Sequence, residues 1–233
     1  MRTGPERAGL PRGEFQEKIY RFYRDHRRDL PWRDTRDPYR ILVSEFMLQQ
    51  TKVQRVLEKY EGFVGRFPDF AALYAAPVED LLRAWQGLGY NRRALALKKT
   101  AARVVEEWDG ILPDDEEALR SLRGIGKATA AAVLAFAFNK PSLLIETNIR
   151  RVFIHCYFPD RLLVSDTEIL PLIEETIDRE DPRDWYYALM DYGSYLGKTL
   201  ENPNLKSREY KKQPPFEGSV RQVGSQRDLY ERP

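Results

Sequence analysis

Cysteine is nearly missing: the 233-residue sequence holds one, Cys156. That excludes a disulfide framework and any zinc or iron–sulfur site built from cysteine alone. His26 and His155 do not supply the spacing of a metal site with it, so no metal is expected. Long hydrophobic runs are missing too. The longest uncharged apolar stretch, Ala128 to Phe138, falls well short of the roughly 20 residues that cross a bilayer. Met1 to Gly13 mixes Arg, Pro, Gly and Glu without an apolar centre, unlike a secretory signal. A cytoplasmic protein without membrane contact is expected. Alternating strand-like runs are scarce and no Asn-Gly hairpin occurs, which argues against a sheet. A surplus of one charge is absent as well. The net charge of +2, taken alone, speaks against a nucleic-acid partner.

What is present is a folded composition. Apolar residues make up 42%, aromatics 12% and charged residues 32%. The length suits one large domain or two small ones. Apolar residues recur at helical spacing almost everywhere. Helices are expected over 14–28, 39–60, 70–75, 78–85, 92–108, 114–122, 127–138, 148–157, 167–177 and 185–196. Leu30-Pro31-Trp32-Arg33, Gly87-Leu88-Gly89, Asp109-Gly110 and Gly124-Ile125-Gly126 break them. The expected class is all-α. From Glu201 onward polar residues, Pro and Lys/Arg dominate, as in an extended arm.

The small net charge conceals segregation. Gln86 to Val105 carries Arg92, Arg93, Lys98, Lys99 and Arg103 and no acid. Arg120, Arg123 and Lys127 flank the Gly-Ile-Gly turn. Glu106 to Glu117 holds seven acids and no base, and Asp166 to Asp184 eight acids and two bases. Each run by itself reads equally well as a solvated helix face. Basic residues gathered at glycine turns add weight to phosphate binding.

Leu122-Arg123-Gly124-Ile125-Gly126-Lys127 is the most informative short motif. The two glycines let the chain turn and keep the turn's surface bare. Ile125 is placed to plug it into the core. The apolar helix that follows offers unpaired N–H groups and its positive end, and Lys127 adds a charge. A Gly-x-Gly alone is more often a plain helix–helix turn. In this setting it suits a hairpin that holds DNA phosphates without reading sequence.

Two carboxylates have two readings each. Glu45 is three or four residues from Ile41, Leu42, Leu48 and Gln49. It either sits at a helix flank, extended or paired with an arginine, or is a desolvated acid that keeps its proton. Glu146, after Leu143-Leu144-Ile145, either belongs to a helix start capped by Thr147 or Asn148, or stands ionised at a cleft mouth. One neutral and one charged carboxyl are the equipment for breaking a glycosidic bond.

Taken together, the motifs resemble the helix-hairpin-helix (HhH-GPD) DNA glycosylases. The likeness is greatest to the MutY-type adenine glycosylases and their mismatch thymine/uracil relatives, and runs from about Leu30 to Gly193. It rests on Leu30-Pro31-Trp32-Arg33, Asp37-Pro38-Tyr39, Ser44-Glu45-Phe46-Met47-Leu48-Gln49-Gln50-Thr51, Gly87-Leu88-Gly89-Tyr90, Leu122 to Lys127, Glu146-Thr147-Asn148-Ile149-Arg150-Arg151-Val152 and Met190-Asp191-Tyr192-Gly193.

The resemblance implies a two-lobed all-α fold. A six-helix lobe over 31–139 would contain the hairpin at 116–138. Residues 12–30 with 140–200 would form the second lobe, and 201–233 an extended segment in place of the iron–sulfur loop. It implies catalysis by Glu45 and Glu146. Trp32, Arg33, Gln49, Gln50, Tyr90, Asn91 and Ala128 would serve the base pocket or the opposite base. Gly124, Ile125, Gly126, Lys127, Thr129, Arg92 and Arg93 would hold phosphate. The partner is double-stranded DNA containing a mismatch or damaged base, bound by a monomer.

The departures from the family carry expectations of their own. Glu146 stands where the family has Asp, one methylene longer. Ala128 stands where lyase-type relatives have Lys, so a monofunctional enzyme without Schiff-base chemistry is expected. One cysteine leaves no cluster, and Lys198 to Gln222 is expected to fold back over the second lobe instead. Asn91 replaces the usual second Tyr of Gly-Leu-Gly-Tyr-Tyr, and the chain has no room for the 8-oxoguanine-reading C-terminal domain. The expected target is adenine opposite guanine or 8-oxoguanine. Thymine or uracil opposite guanine is the alternative, and a DNA-binding module that has lost turnover is a third.

Overall fold

The computed structural model describes residues 10–210. These form eleven α-helices and two 3-10 turns, with no strand among them; Val164 and Ser207 make a single parallel bridge. The helices are α1 (Arg12–His26), α2 (Pro38–Leu48), α3 (Val53–Arg66), α4 (Phe70–Ala75), α5 (Val78–Trp85), α6 (Arg92–Trp108), α7 (Glu116–Ser121), α8 (Lys127–Phe138), α9 (Thr147–Tyr157), α10 (Asp166–Thr176) and α11 (Pro182–Thr199). None is long and apolar enough to cross a membrane.

Local chemistry sets the boundaries. Asp37, Asp69, Asp115 and Asp181 each cap a helix by accepting a backbone N–H from its first turn. Pro38 and Pro182 open α2 and α11, where a missing N–H costs nothing. Asp109 and Asn139 close α6 and α8 in the left-handed conformation, which short polar side chains tolerate.

One expected boundary is corrected. The stretch 39–60 is two helices, α2 and α3, separated at residues 49–52. Gln50 there takes a φ of 56°. The carbonyls of Phe46, Met47 and Gln49 bond to the guanidinium of Arg93 instead of continuing a helical ladder.

Two apolar cores lie side by side. One gathers Phe46, Tyr60, Phe63, Leu73, Trp85, Leu97 and Val133; the other Phe15, Ile19, Phe153, Ile173, Trp185, Tyr186 and Leu189. Helix α8 serves both. Ala130 and Val133 face the first core, and Ala131, Ala135 and Phe136 the second. A helix enclosed on all sides needs to be apolar all round. Helix α2 shares this seam, with Ile41 in the second core and Leu42, Val43 and Phe46 in the first.

After α11 the chain turns back. The 3-10 turn Pro203–Lys206 packs on α9. Asn204, fully buried, donates to the Thr147 carbonyl at 2.9 Å. Residues 211–222 of the segment expected to cover this lobe lie outside the described residues.

Candidate active site and DNA-binding surface

The seam helices put Glu45 in position. It lies one turn after Ile41, on the face that α2 turns toward the second lobe. It is half-buried and has no hydrogen-bond partner among the described residues. Burial, and next the negative charge of Glu146, push its carboxyl up to about 8. A negative charge that raises a neighbouring carboxyl's proton affinity lies close to it, so the two carboxyls share a site.

Glu146 comes from the opposite lobe, at the start of α9. Its Oε1 accepts from the N–H groups of Asn148 at 2.7 Å and Ile149 at 2.8 Å, and its Oε2 from Asn148 Nδ2 at 3.2 Å. The cap of α9 is therefore Glu146 itself, and not Thr147 or Asn148, which one of the two sequence readings placed there. Burial outweighs those two N–H groups and the charges of Arg150 and Arg151, so its carboxyl too is held above its ordinary value. Glu45 has no such partners, so the first proton taken up by the pair resides on Glu45.

Around these carboxyls, expectation and structure part in places. Trp32 packs edge-on against Tyr60, 4% exposed. Arg33 is equally buried. Both of its Nη atoms bond to Asp191 at 2.8 Å, and its Cζ lies 4.4 Å from the centroid of the Tyr187 ring. Its charge is thus satisfied within the protein instead of facing a ligand. Ala128 is exposed on the first turn of α8 and offers no nucleophile.

The hairpin between α7 and α8 is formed by Gly124, with a φ of 87°, and Gly126, which starts α8. A Cβ on Gly124 would come within 2.9 Å of the Phe46 ring, so the turn needs glycine on two counts. Ile125 is buried as a plug, 5% exposed. Lys127 is exposed, and the first N–H groups of α8 are left without helical partners. Gln49 Nε2 reaches Gly124 O at 3.3 Å and Thr129 Oγ1 at 3.4 Å, linking the turn after α2 to the hairpin. Gln50, Asn91 and Arg92 are exposed, and Tyr90 is half-buried under the Arg92 guanidinium.

Arg93 is a correction. It was expected at phosphate, but it is 6% exposed and its Nη atoms make six hydrogen bonds inside the protein. Its helical phase carried the signal. Arg93 shares a face with Leu97, Ala101 and Val104, whereas Arg92 does not. Asp191 carried a similar one, as an acid among the apolar residues of α11.

A four-cysteine cluster does not fit this chain. Its one cysteine, Cys156, is half-buried on α9, and burial pushes the thiol up to about 11. No group of three His, Cys, Asp or Glu able to hold a metal occurs among the described residues.

The HhH-GPD superfamily of base excision DNA repair proteins matches residues 43–174. An adenine DNA glycosylase of Buchnera aphidicola subsp. Baizongia pistaciae is 36% identical over 187 residues, 78% of this chain and 52% of that protein. A thymine/uracil-DNA glycosylase of Methanothermobacter thermautotrophicus is 32% identical over 186 residues, 78% of this chain and 84% of that protein. The solved structure of a thermostable thymine-DNA glycosylase superposes with a TM-score of 0.70 at 30% identity, over 78% of this chain and 86% of that one. The chain belongs to the HhH-GPD superfamily. It spans about half the length of the curated adenine glycosylases it matches.

Proposed function

We propose that the protein is a monofunctional DNA glycosylase of base excision repair that removes a mismatched base from duplex DNA. The observation that carries this reading is the pair of unlike carboxyls at the seam, Glu45 without a hydrogen-bond partner among the described residues and Glu146 anchored on α9. The target nucleotide leaves the stack and enters the seam. Glu45 gives its proton to a ring nitrogen of the leaving base as the bond from C1′ to nitrogen breaks. Glu146 stabilises the positive charge that develops on the sugar. Water adds to C1′, and its spare proton passes to a carboxylate. Lys127 and the start of α8 hold the backbone, while Gln49, Gln50 and Tyr90 occupy the space the base leaves. With Ala128 in place of an amine, no Schiff base forms there and the strand stays intact. The reaction runs without an iron–sulfur cluster.

The base we assign is adenine opposite guanine or 8-oxoguanine, supported by identities of 36–43% to three adenine glycosylases. Thymine or uracil opposite guanine is the second reading, supported by the relative that aligns over 84% of its own length. Duplexes carrying A:8-oxoguanine, A:G, T:G and U:G, incubated with protein and then heated in alkali, separate the two. Product before alkali treatment would refute the monofunctional reading. Binding without product on every duplex would leave a DNA-binding module. Glu45→Gln is expected to abolish excision while DNA binding persists.

A further inference from the structure

Arg93 joins two turns that lie far apart in the chain. Nη1 donates to the carbonyls of Phe46 at 2.8 Å, Met47 at 2.9 Å and Gln49 at 2.5 Å. Nη2 donates to Thr51 Oγ1 at 2.9 Å and to the carbonyls of Leu88 and Gly89, both at 3.0 Å. Apart from this guanidinium, the side-chain hydrogen bonds to the 87–90 turn from this side, among the described residues, are Thr51 Oγ1 to Leu88 O at 3.4 Å and Arg55 of α3 to Gly87 O at 3.0 Å.

Both turns are bent in a way their residues disfavour. Among the described non-glycine residues, Gln50, Tyr90, Asp109 and Asn139 have positive φ. Asp109 and Asn139 are helix ends, where this is ordinary. Gln50, at 56°, and Tyr90, at 49°, are the tips of the two turns that Arg93 holds. Backbone of this kind persists only where its surroundings enforce it. Arg93 also bears a penalty of its own: it is nearly buried, burial pulls its proton affinity down to about 10, and its Nε has no partner. Packing alone would be better served by an apolar side chain. A planar fork of N–H donors spanning six acceptors is what arginine offers and lysine does not.

We propose that Arg93 is a positioning residue that locks the 49–51 and 87–90 turns into one rigid wedge, so that Gln50 and Tyr90 enter the duplex together. The proposal rests on the reading that this protein extrudes a base. Two independent turns would each be ordered on DNA at the moment of extrusion, whereas a locked pair is ordered beforehand.

The test has two arms. The first is NMR relaxation dispersion on the DNA-free protein, comparing wild type, Arg93→Lys and Thr51→Val. Amides of both turns are expected to gain microsecond-to-millisecond exchange together in Arg93→Lys, and to a lesser degree in Thr51→Val, which removes one acceptor of Arg93 and the long 3.4 Å bond to Leu88 O and leaves the arginine. Exchange confined to one turn, or absent from both, would overturn the proposal; if Arg93→Lys does not fold, Thr51→Val decides. The second arm is single-turnover excision of the target base from a mismatch and from a duplex where it faces an abasic gap. Arg93→Lys is expected to lose about tenfold or more on the mismatch and under about threefold on the opened duplex. Equal losses on both would reduce Arg93 to a fold-stabilising residue. If the wild type excises nothing, the functional reading fails while the first arm still decides the clamp.

Discussion

Asp191 receives Arg33 through both guanidinium Nη atoms, at 2.8 Å each, with side-chain exposures of 1% and 2%. Arg28 adds its backbone N–H at 3.0 Å and its Nε at 2.5 Å. The group ties the chain before α2 to the middle of α11, so it fixes one lobe against the other. Burial alone would raise the Asp191 carboxyl, but the hydrogen bonds and charge of Arg33, with the charge of Arg28, outweigh it and hold the carboxyl below its ordinary value. Asp191→Ala leaves Arg33 buried without its partner and is expected to cost about 3–5 kcal/mol. A depressed carboxyl contributes stability that is full above its unfolded value of about 3.9 and fades as pH falls through the folded one. Urea denaturation is therefore expected to show a large gap between wild type and variant at neutral pH and a narrowing gap below about pH 4.

Glu45 has the opposite sign. Its carboxyl is pushed up to about 8 by burial and by Glu146, so the folded state takes up a proton that the unfolded chain has released. Stability falls as pH rises from the unfolded value of about 4.3 and levels off above the folded one. Glu45→Gln removes this dependence. The variant is expected to gain stability over wild type from about pH 5 to about pH 8, while excision disappears at every pH. In the wild type, the rate of the chemical step is expected to drop on the alkaline side near pH 8. An unchanged gap in stability across that range would contradict the raised carboxyl.

Most helices are legible because their signals are local. The caps Asp69 and Asp115, the breaks at Gly87-Leu88-Gly89 and Asp109-Gly110, and the apolar run of α8 are all written within a few residues. The split at Gln49–Lys52 is not, because it depends on Arg93, more than forty positions away in the chain. The site is legible in the same measure. Glu45 betrays itself by its apolar neighbours on one helix. That Glu146 caps α9 with its own side chain depends on the geometry of one helix start, where Thr147 and Asn148 are the commoner choices. The pairing of Arg33 with Asp191 joins residues 158 positions apart and has no local trace.

Gly193 marks where α11 crosses α9. A Cβ there would overlap the carbonyl and side chain of Asn148, the residue that bonds Glu146 through its N–H and its Nδ2. Backbone cannot yield as a flexible side chain does. Gly193→Ala is expected to push α9 away, to destabilise the protein by about 1–3 kcal/mol and to displace Glu146 from Glu45. Thermal denaturation reads the first effect and single-turnover excision the second. Gly65→Ala is the control, since a Cβ there meets nothing within 4 Å; an equal effect of both substitutions would remove the case for the α9–α11 contact.

Salt dependence separates Arg93 from Lys127 beside the hairpin. Lys127 is exposed at the start of α8, next to the unpaired N–H groups that favour an anion. On the proposed binding surface it neutralises one phosphate and releases about one counterion. Lys127→Ala is expected to weaken duplex binding alike on matched and mismatched DNA and to lower the slope of log K against log salt by about 1. Arg93 is buried and spent on carbonyls of its own chain. Arg93→Lys is therefore expected to leave that slope unchanged, whatever it does to extrusion. A fall in slope of about 1 for Arg93→Lys would place its guanidinium at the backbone after all, and no fall for Lys127→Ala would take the phosphate away from the hairpin.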